Sequence, residues 1–196
     1  MKKSALLFLI FWGFLSITYA QALIDQKSKL SAGISFSTFG KYDIFTFTHP
    51  DGSPTYSSNS FYSFGISGFI KKKKRTEIET GIYFVKHVIQ IQPGFPDPPY
   101  YSTRESISLI EIPLNIRFEL KYFFISSGII ADIEIANSNI IRKQSGIGIN
   151  TSLGLNYNFK FGMSIYAGPE FYLHSILPPD DEKLIGRSIK IGVRFR

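Results

Sequence analysis

The stretch GIGINTSLGLNYNF, Gly146 to Phe159, decides the fold. Ile147, Ile149, Thr151, Leu153, Leu155, Tyr157 and Phe159 fall on one side of an extended chain. Gly146, Gly148, Asn150, Ser152, Gly154, Asn156 and Asn158 fall on the other. Successive side chains of a strand point to opposite faces, so this segment has one greasy side and one small, polar side. A helical reading would scatter the same apolar residues around the whole cylinder.

The alternation repeats on both sides of this stretch. Ile110, Ile112, Leu114, Ile116 and Phe118 oppose Glu111, Asn115, Arg117 and Glu119. Met163, Ile165, Ala167 and Phe171 oppose Ser164, Tyr166, Gly168, Glu170 and Tyr172, and Ile189, Ile191, Val193 and Phe195 oppose Ser188, Lys190, Gly192 and Arg194. Read this way, the sequence predicts eight strands, at 29–40, 60–71, 76–90, 105–119, 121–135, 144–158, 160–174 and 185–196. Each is long enough for a tilted strand to cross a bilayer, which takes about ten residues. Pro113 and Pro169 fall inside these strands, where each removes a ladder donor, and are expected at bulges or bends.

The connections alternate too. Lys71–Arg75, the neighbourhood of Leu120 and Asn158–Lys160 make tight turns, whereas 41–59, 91–104, 136–143 and 175–184 are longer and polar. Short turns at one end and long loops at the other are the habit of a transmembrane barrel. The expected fold is therefore all-β, an eight-stranded antiparallel up-and-down transmembrane barrel, with the tight turns periplasmic. No open edge can be left in hydrocarbon, where each unpaired amide costs several kcal/mol.

Residues 1–20 read as a secretory signal peptide. Lys2 and Lys3 are followed by an apolar run from Ala5 to Leu15 and by Thr18-Tyr19-Ala20 as a cleavage site. The alternative is an uncleaved N-terminal anchor. Cleavage would leave 21–196 as one barrel domain and lower the formal charge from +7 to +5. Export argues against nucleic acid as the partner of this basic chain. With no cysteine there is neither disulfide framework nor thiolate metal site. No cofactor or metal is expected.

A soluble lipocalin-like barrel alternates as well, with its apolar face inward. Three features favour the membrane. The polar face is rich in Gly, Ser and Asn, which suit a crowded lumen. Phe118, Tyr122, Phe123, Tyr157, Phe159, Phe161 and Phe195 gather near the tight turns, as an interfacial girdle requires. The closing strand runs to Arg196 with Phe195 penultimate.

Several of these segments carry a family likeness. Leu109-Ile110-Glu111-Ile112-Pro113-Leu114 resembles the LEIPL signature of the PorT-like small outer-membrane β-barrel proteins common in Bacteroidota. Ser145–Gly148, Gly154–Tyr157, Gly168-Pro169 and Ile191–Arg196 resemble the C-terminal half of the same family, although Arg196 stands where a terminal aromatic is commoner. The resemblance covers residues 29–196. It implies an eight-stranded outer-membrane barrel of a Gram-negative cell. One branch resembles accessory components of a protein-secretion system, and no residue here selects that branch.

Glu111, Arg117, Glu119, Asp132, Glu170, Lys190 and Arg194, with Glu77, Glu79 and Glu134, fall on the inward face. An eight-stranded barrel is filled by its own side chains, so these charges are expected to pair across the lumen as a structural network. Glu170 and Lys190 would face each other if 175–184 closes a regular hairpin. A general pore is excluded on width, and no catalytic residue is assigned. A lipid-modifying enzyme would have to use His174 or His87; His174 and Ser175 are adjacent and should point to opposite faces, and His87 should sit at the lumen rim. The run Lys71–Arg75 reads as a solvated turn that can also reach phospholipid headgroups.

The remaining function is expected in the outer loops. Tyr42, Phe45, Phe47 and Tyr56 in 41–59, and Tyr100 and Tyr101 in 92–104, are candidate contacts for an envelope or secretion protein. The expected function is that of a non-enzymatic structural or interaction protein of the outer membrane, with lipid as its solvent. A lipid-modifying enzyme and a soluble periplasmic ligand-binding barrel are the alternatives.

Overall fold

The computed structural model describes residues 30–46, 55–71, 74–92, 103–136, 144–177 and 182–195; residues 1–20, expected to be a signal peptide, lie outside them. Eight antiparallel strands run in order: β1 (Leu30–Thr46), β2 (Thr55–Lys71), β3 (Thr76–Gln92), β4 (Thr103–Leu120), β5 (Phe123–Ala136), β6 (Gly146–Asn158), β7 (Met163–Leu177) and β8 (Glu182–Phe195). Each pairs with the next and β8 returns to β1, so the sheet is a closed barrel. The soluble alternative, with its greasy face turned inward, does not describe the turn-side part of this wall. Ile34, Phe64, Ile82, Leu114, Ile129, Ile149 and Ile191 stand exposed around the outside, as a hydrocarbon solvent requires.

At the turn end, Leu120 pairs directly with Phe123 across a two-residue turn in which Lys121 is left-handed (φ 47°). Phe159, Tyr157 and Phe161 stack beside the β6–β7 turn, and Phe118, Tyr122, Phe123 and Phe195 are exposed at the same level.

β1, β3 and β4 reach further toward the loop end than the alternation suggests, because their amphipathy inverts there. On β3 the inward positions run Glu77, Glu79, Tyr83, Val85, His87, Ile89, Ile91, and the outward ones Ile78, Ile82, Phe84, then Lys86 and Gln90. The barrel is thus polar inside and apolar outside near the turns. Near the loop ends of β1, β3, β4 and β8 it is apolar inside, with Ile44, Val85, Ile89, Ile91, Ile107, Leu109 and Leu184 buried in one cluster. A strand of 17 residues exceeds what a bilayer takes up. On that excess length the outer face of β3 carries Lys86 and Gln90, and its apolar burial comes from the inside.

Both prolines correct the expectation of a bulge. The β4–β5 register runs unbroken through Pro113–Ile130 and the β7–β8 register through Pro169–Ile189. Each proline instead leaves a gap without a register shift on its other side, between Thr80–Leu114 and Tyr83–Glu111 and between Ser152–Glu170 and Leu155–Ala167. At the first gap Thr80 Oγ1 donates to the Pro113 carbonyl at 2.8 Å. Irregularities lie elsewhere: Phe39 (φ 54°) occupies the shift between Thr38 and Lys41, and Ser175 (φ 50°) lies opposite the shift between Ile147 and Ile149. An extra residue reverses the facing of everything beyond it. Before Phe39 the odd positions face in; after it Tyr42 and Ile44 do.

Candidate functional site: the layered lumen

The inward side chains form three layers. Nearest the turns, Arg194 of β8 donates twice to Glu77 of β3, at 2.6 and 2.8 Å, and also meets Glu119 of β4 at 3.1 Å. Arg117 lies 3.5 Å from both Glu79 and Glu119, with its guanidinium 3.7 Å over the Phe124 ring. Lys190 joins Glu79 at 3.4 Å and Glu170 at 3.1 Å, and Ser126 donates to Glu79 at 3.1 Å. Alternation on one strand places two charges roughly 6–7 Å apart along the lumen, and closure brings the opposite wall within reach of both. The Glu170–Lys190 contact forms diagonally, since Glu170 is level with Ser188 and Lys190 with Gly168.

The inward aromatics of this wall rest on glycines of the neighbouring strand. Tyr42 is level with Gly186, Tyr83 with Gly65, Phe124 with Gly154 and Tyr166 with Gly192. A Cβ on Gly186 would stand 1.8 Å from the Tyr42 ring, and one on Gly192 would stand 2.2 Å from Tyr166.

The middle layer holds His87 of β3, Glu111 of β4, Asp132 of β5 and His174 of β7, all buried; both histidines are 0% exposed. His174 Nδ1 lies 3.0 Å from Asp132 Oδ2, and its Nε2 lies 3.8 Å from Glu111 Oε1. Tyr172 stacks on His174 at 5.6 Å between centroids, and the Tyr42 ring lies 4.3 Å from that of His87. Tyr172 also donates to Glu170, tying this layer to the one below. Both ring nitrogens of His87, Nε2 of His174 and Oε1 of Glu111 have no hydrogen-bond partner among the described residues. One ligand atom each from His87, Glu111 and His174 lies within 4.8 Å of the others, a set able to hold a metal ion. The third layer is the apolar cluster that closes the loop end.

The structure places Glu111, Arg117, Glu119, Asp132, Glu170, Lys190 and Arg194 in the lumen, and brings five of them into ion pairs with one another or with Glu77 and Glu79. Glu111 and Asp132 meet His174 instead. His87 is a fully buried lumen residue, not a rim residue. His174 and Ser175 are both buried and do not take opposite faces, because the left-handed Ser175 breaks the alternation. Lys183 donates to the Ser175 carbonyl.

The candidate loop contacts separate. Tyr42 belongs to β1 and is buried in the lumen, turned there by the irregularity at Phe39, so it is no surface contact. Tyr56 is half-buried on β2 and packs against the inner cluster. Phe45 lies on β1 with its side chain outside the described residues, as are Phe47, Tyr100 and Tyr101 entirely. Alternation could not show that two histidines from distant strands share one layer. Their inward parity was the available signal.

No family model and no curated protein matches the chain. Among solved structures it is similar to the attachment invasion locus protein Ail of Yersinia pestis in complex with the heparin analogue sucrose octasulfate. That match has a TM-score of 0.50 at 11% identity and covers 85% of this chain and 99% of that one. It is also similar to the outer membrane protein OprG of Pseudomonas aeruginosa, with a TM-score of 0.46 at 13% identity, covering 86% of this chain and 94% of that one. At such identities the likeness is one of fold: the chain has the closed eight-stranded architecture of Gram-negative outer-membrane barrels.

Proposed function

We propose that the chain is an integral outer-membrane protein that serves as a non-enzymatic structural or interaction component of the envelope, presenting its loop end to a partner. The observation that carries this reading is the combination of an exposed apolar belt with a lumen filled by ion pairs and an apolar cluster. A wall of that kind is at home in lipid, and a lumen of that kind is a brace and not a passage. In this orientation the tight turns and Lys74–Arg75 face the periplasm, and the inverted upper wall stands in the external medium.

The lipid partner has local support. Lys41 and Arg187 are direct cross-strand neighbours, both exposed, just beyond Phe39, which is 82% exposed. Like charges directly opposite one another are destabilising, and anionic headgroups at the rim of the belt would relieve the repulsion.

Membrane fractionation with gel mobility of unboiled against boiled protein tests the reading. Detergent-dependent extraction and a heat-modifiable band are expected; release by buffer alone would overturn it. In vivo crosslinking from residues 47–54 and 93–102 then identifies the partner, and a secretion component captured there would assign the accessory role that the PorT-like resemblance suggests. The lipid-modifying alternative is tested by profiling lipid A from cells carrying His87→Ala and His174→Ala. The geometry offers it little support, since the free Nε2 of His174 faces a carboxylate inside the lumen.

A further inference from the structure

We propose that His87, Glu111 and His174 form a binding site for one divalent transition-metal ion, zinc foremost, inside the barrel. Two imidazoles and a carboxylate are a donor set that zinc takes readily, with one further position left for a tetrahedral ion.

Four observations carry the assignment. The three residues come from three separate strands, β3, β4 and β7, yet their ligand atoms gather within 4.8 Å. Donors on one tetrahedral zinc stand about 3.3 Å apart at the usual bond lengths, so the 3.8 Å between His174 Nε2 and Glu111 Oε1 needs only a small contraction. The same three residues hold unpaired ligand atoms: either ring nitrogen of His87, Nε2 of His174 and Oε1 of Glu111. Burying such atoms without a partner costs free energy, and an ion would repay it.

Asp132 supplies the third observation. It lies 3.0 Å from His174 Nδ1 and can accept that nitrogen's proton in a hydrogen bond, which in the metal-bound state leaves the Nε2 lone pair for the ion. Carboxylate–histidine pairing of this kind orients metal ligands and raises their basicity. The fourth is charge. Glu77, Glu79, Glu119 and Glu170 pair with Arg117, Lys190 and Arg194, whereas the buried carboxylates of this layer, Glu111 and Asp132, meet only His174. A divalent cation there brings the interior toward neutrality. The Tyr42 and Tyr172 rings pack against the two imidazoles and limit their rotation.

The assignment does not depend on the envelope reading, because it concerns the lumen and not its surroundings. The test refolds the full barrel in detergent with Zn(II) present, in a His49→Ala background so that the third histidine adds no ligand. Metal per folded chain is read after desalting, with unboiled gel mobility certifying the fold. About one zinc per chain is expected, with His87→Gln, His174→Gln and Glu111→Gln each lowering affinity at least tenfold. Asp132→Asn should weaken it about 10- to 100-fold, as loss of a ligand's supporting partner does, whereas Ser164→Ala, level with Arg194 near the turns, should leave it unchanged. X-ray absorption on the zinc-loaded barrel without these ligand substitutions should show two imidazoles, a readout that needs no ligand variant to fold. Folded protein that retains no Zn(II), or that retains it equally in the three ligand variants, would overturn the proposal.

Discussion

At the scale of single residues, the lumen is held by a few side chains with several partners each. Arg194 is the clearest, satisfying Glu77 through two hydrogen bonds and reaching Glu119 and Ser31 as well. Arg194→Met should destabilise the barrel by about 3–5 kcal/mol, because it strands buried carboxylates without their cation. Urea unfolding in lipid vesicles measures it, and the double variant Arg194→Met/Glu77→Gln should recover part of the loss. The glycine contacts make a second prediction. Gly186→Ala puts a methyl into the Tyr42 ring and should cost about 1–3 kcal/mol, the range for overpacking a core. Adding Tyr42→Ala should give less than the sum of the two separate losses; strict additivity would show that the contact carries no energy.

At the scale of the element, β1, β3 and β4 invert their amphipathy along their length whereas β5 and β6 do not, and this sets what could be read from sequence. Eight strands were legible because alternation in 110–120, 146–159 and 185–196 is nearly perfect where the outer face is uniformly apolar. The loop-end halves were not, since Val85, His87, Ile89 and Ile91 continue the same parity with inverted polarity. Along the greasy face the chain crosses from outside to inside without a mark. Tyr42 departs from its expected place for a related reason: a single left-handed residue, Phe39, reverses the facing of the later residues on β1, and no glycine stands at that position to announce it. The ion pairs were legible as inward charges, but their partners depend on closure and register, which no local pattern encodes. The inversion predicts a boundary. Leu114→Arg, in the apolar belt, should cost about 2–4 kcal/mol, and Ser106→Arg, nearer the loop end on the same outward face, about 0–1 kcal/mol. Equal costs in vesicle unfolding would place both positions in the same medium and contradict the inverted upper wall.

At the scale of the whole molecule, the lumen layers stack into a packed plug: ion pairs below, the histidine layer between, and the apolar cluster at the loop end. In planar bilayers the protein should show no steady, general-diffusion conductance. A persistent channel passing uncharged solutes would mean that the packed interior opens. Closure has another result, one of timing. The seam pairs Ala32 with Phe195 and Thr46 with Glu182, so the first described strand finds its second neighbour only when the last is at hand. A ribosome that has made three quarters of this protein has made nothing that can be completed: a wall lacking its closing strand leaves two raw edges and no interior. Closure of the wall is therefore a late step, completed only when β8 is in place beside β1. Deleting residues 190–195 should accordingly yield not a slightly weaker barrel but none, visible as complete loss of the heat-modifiable band.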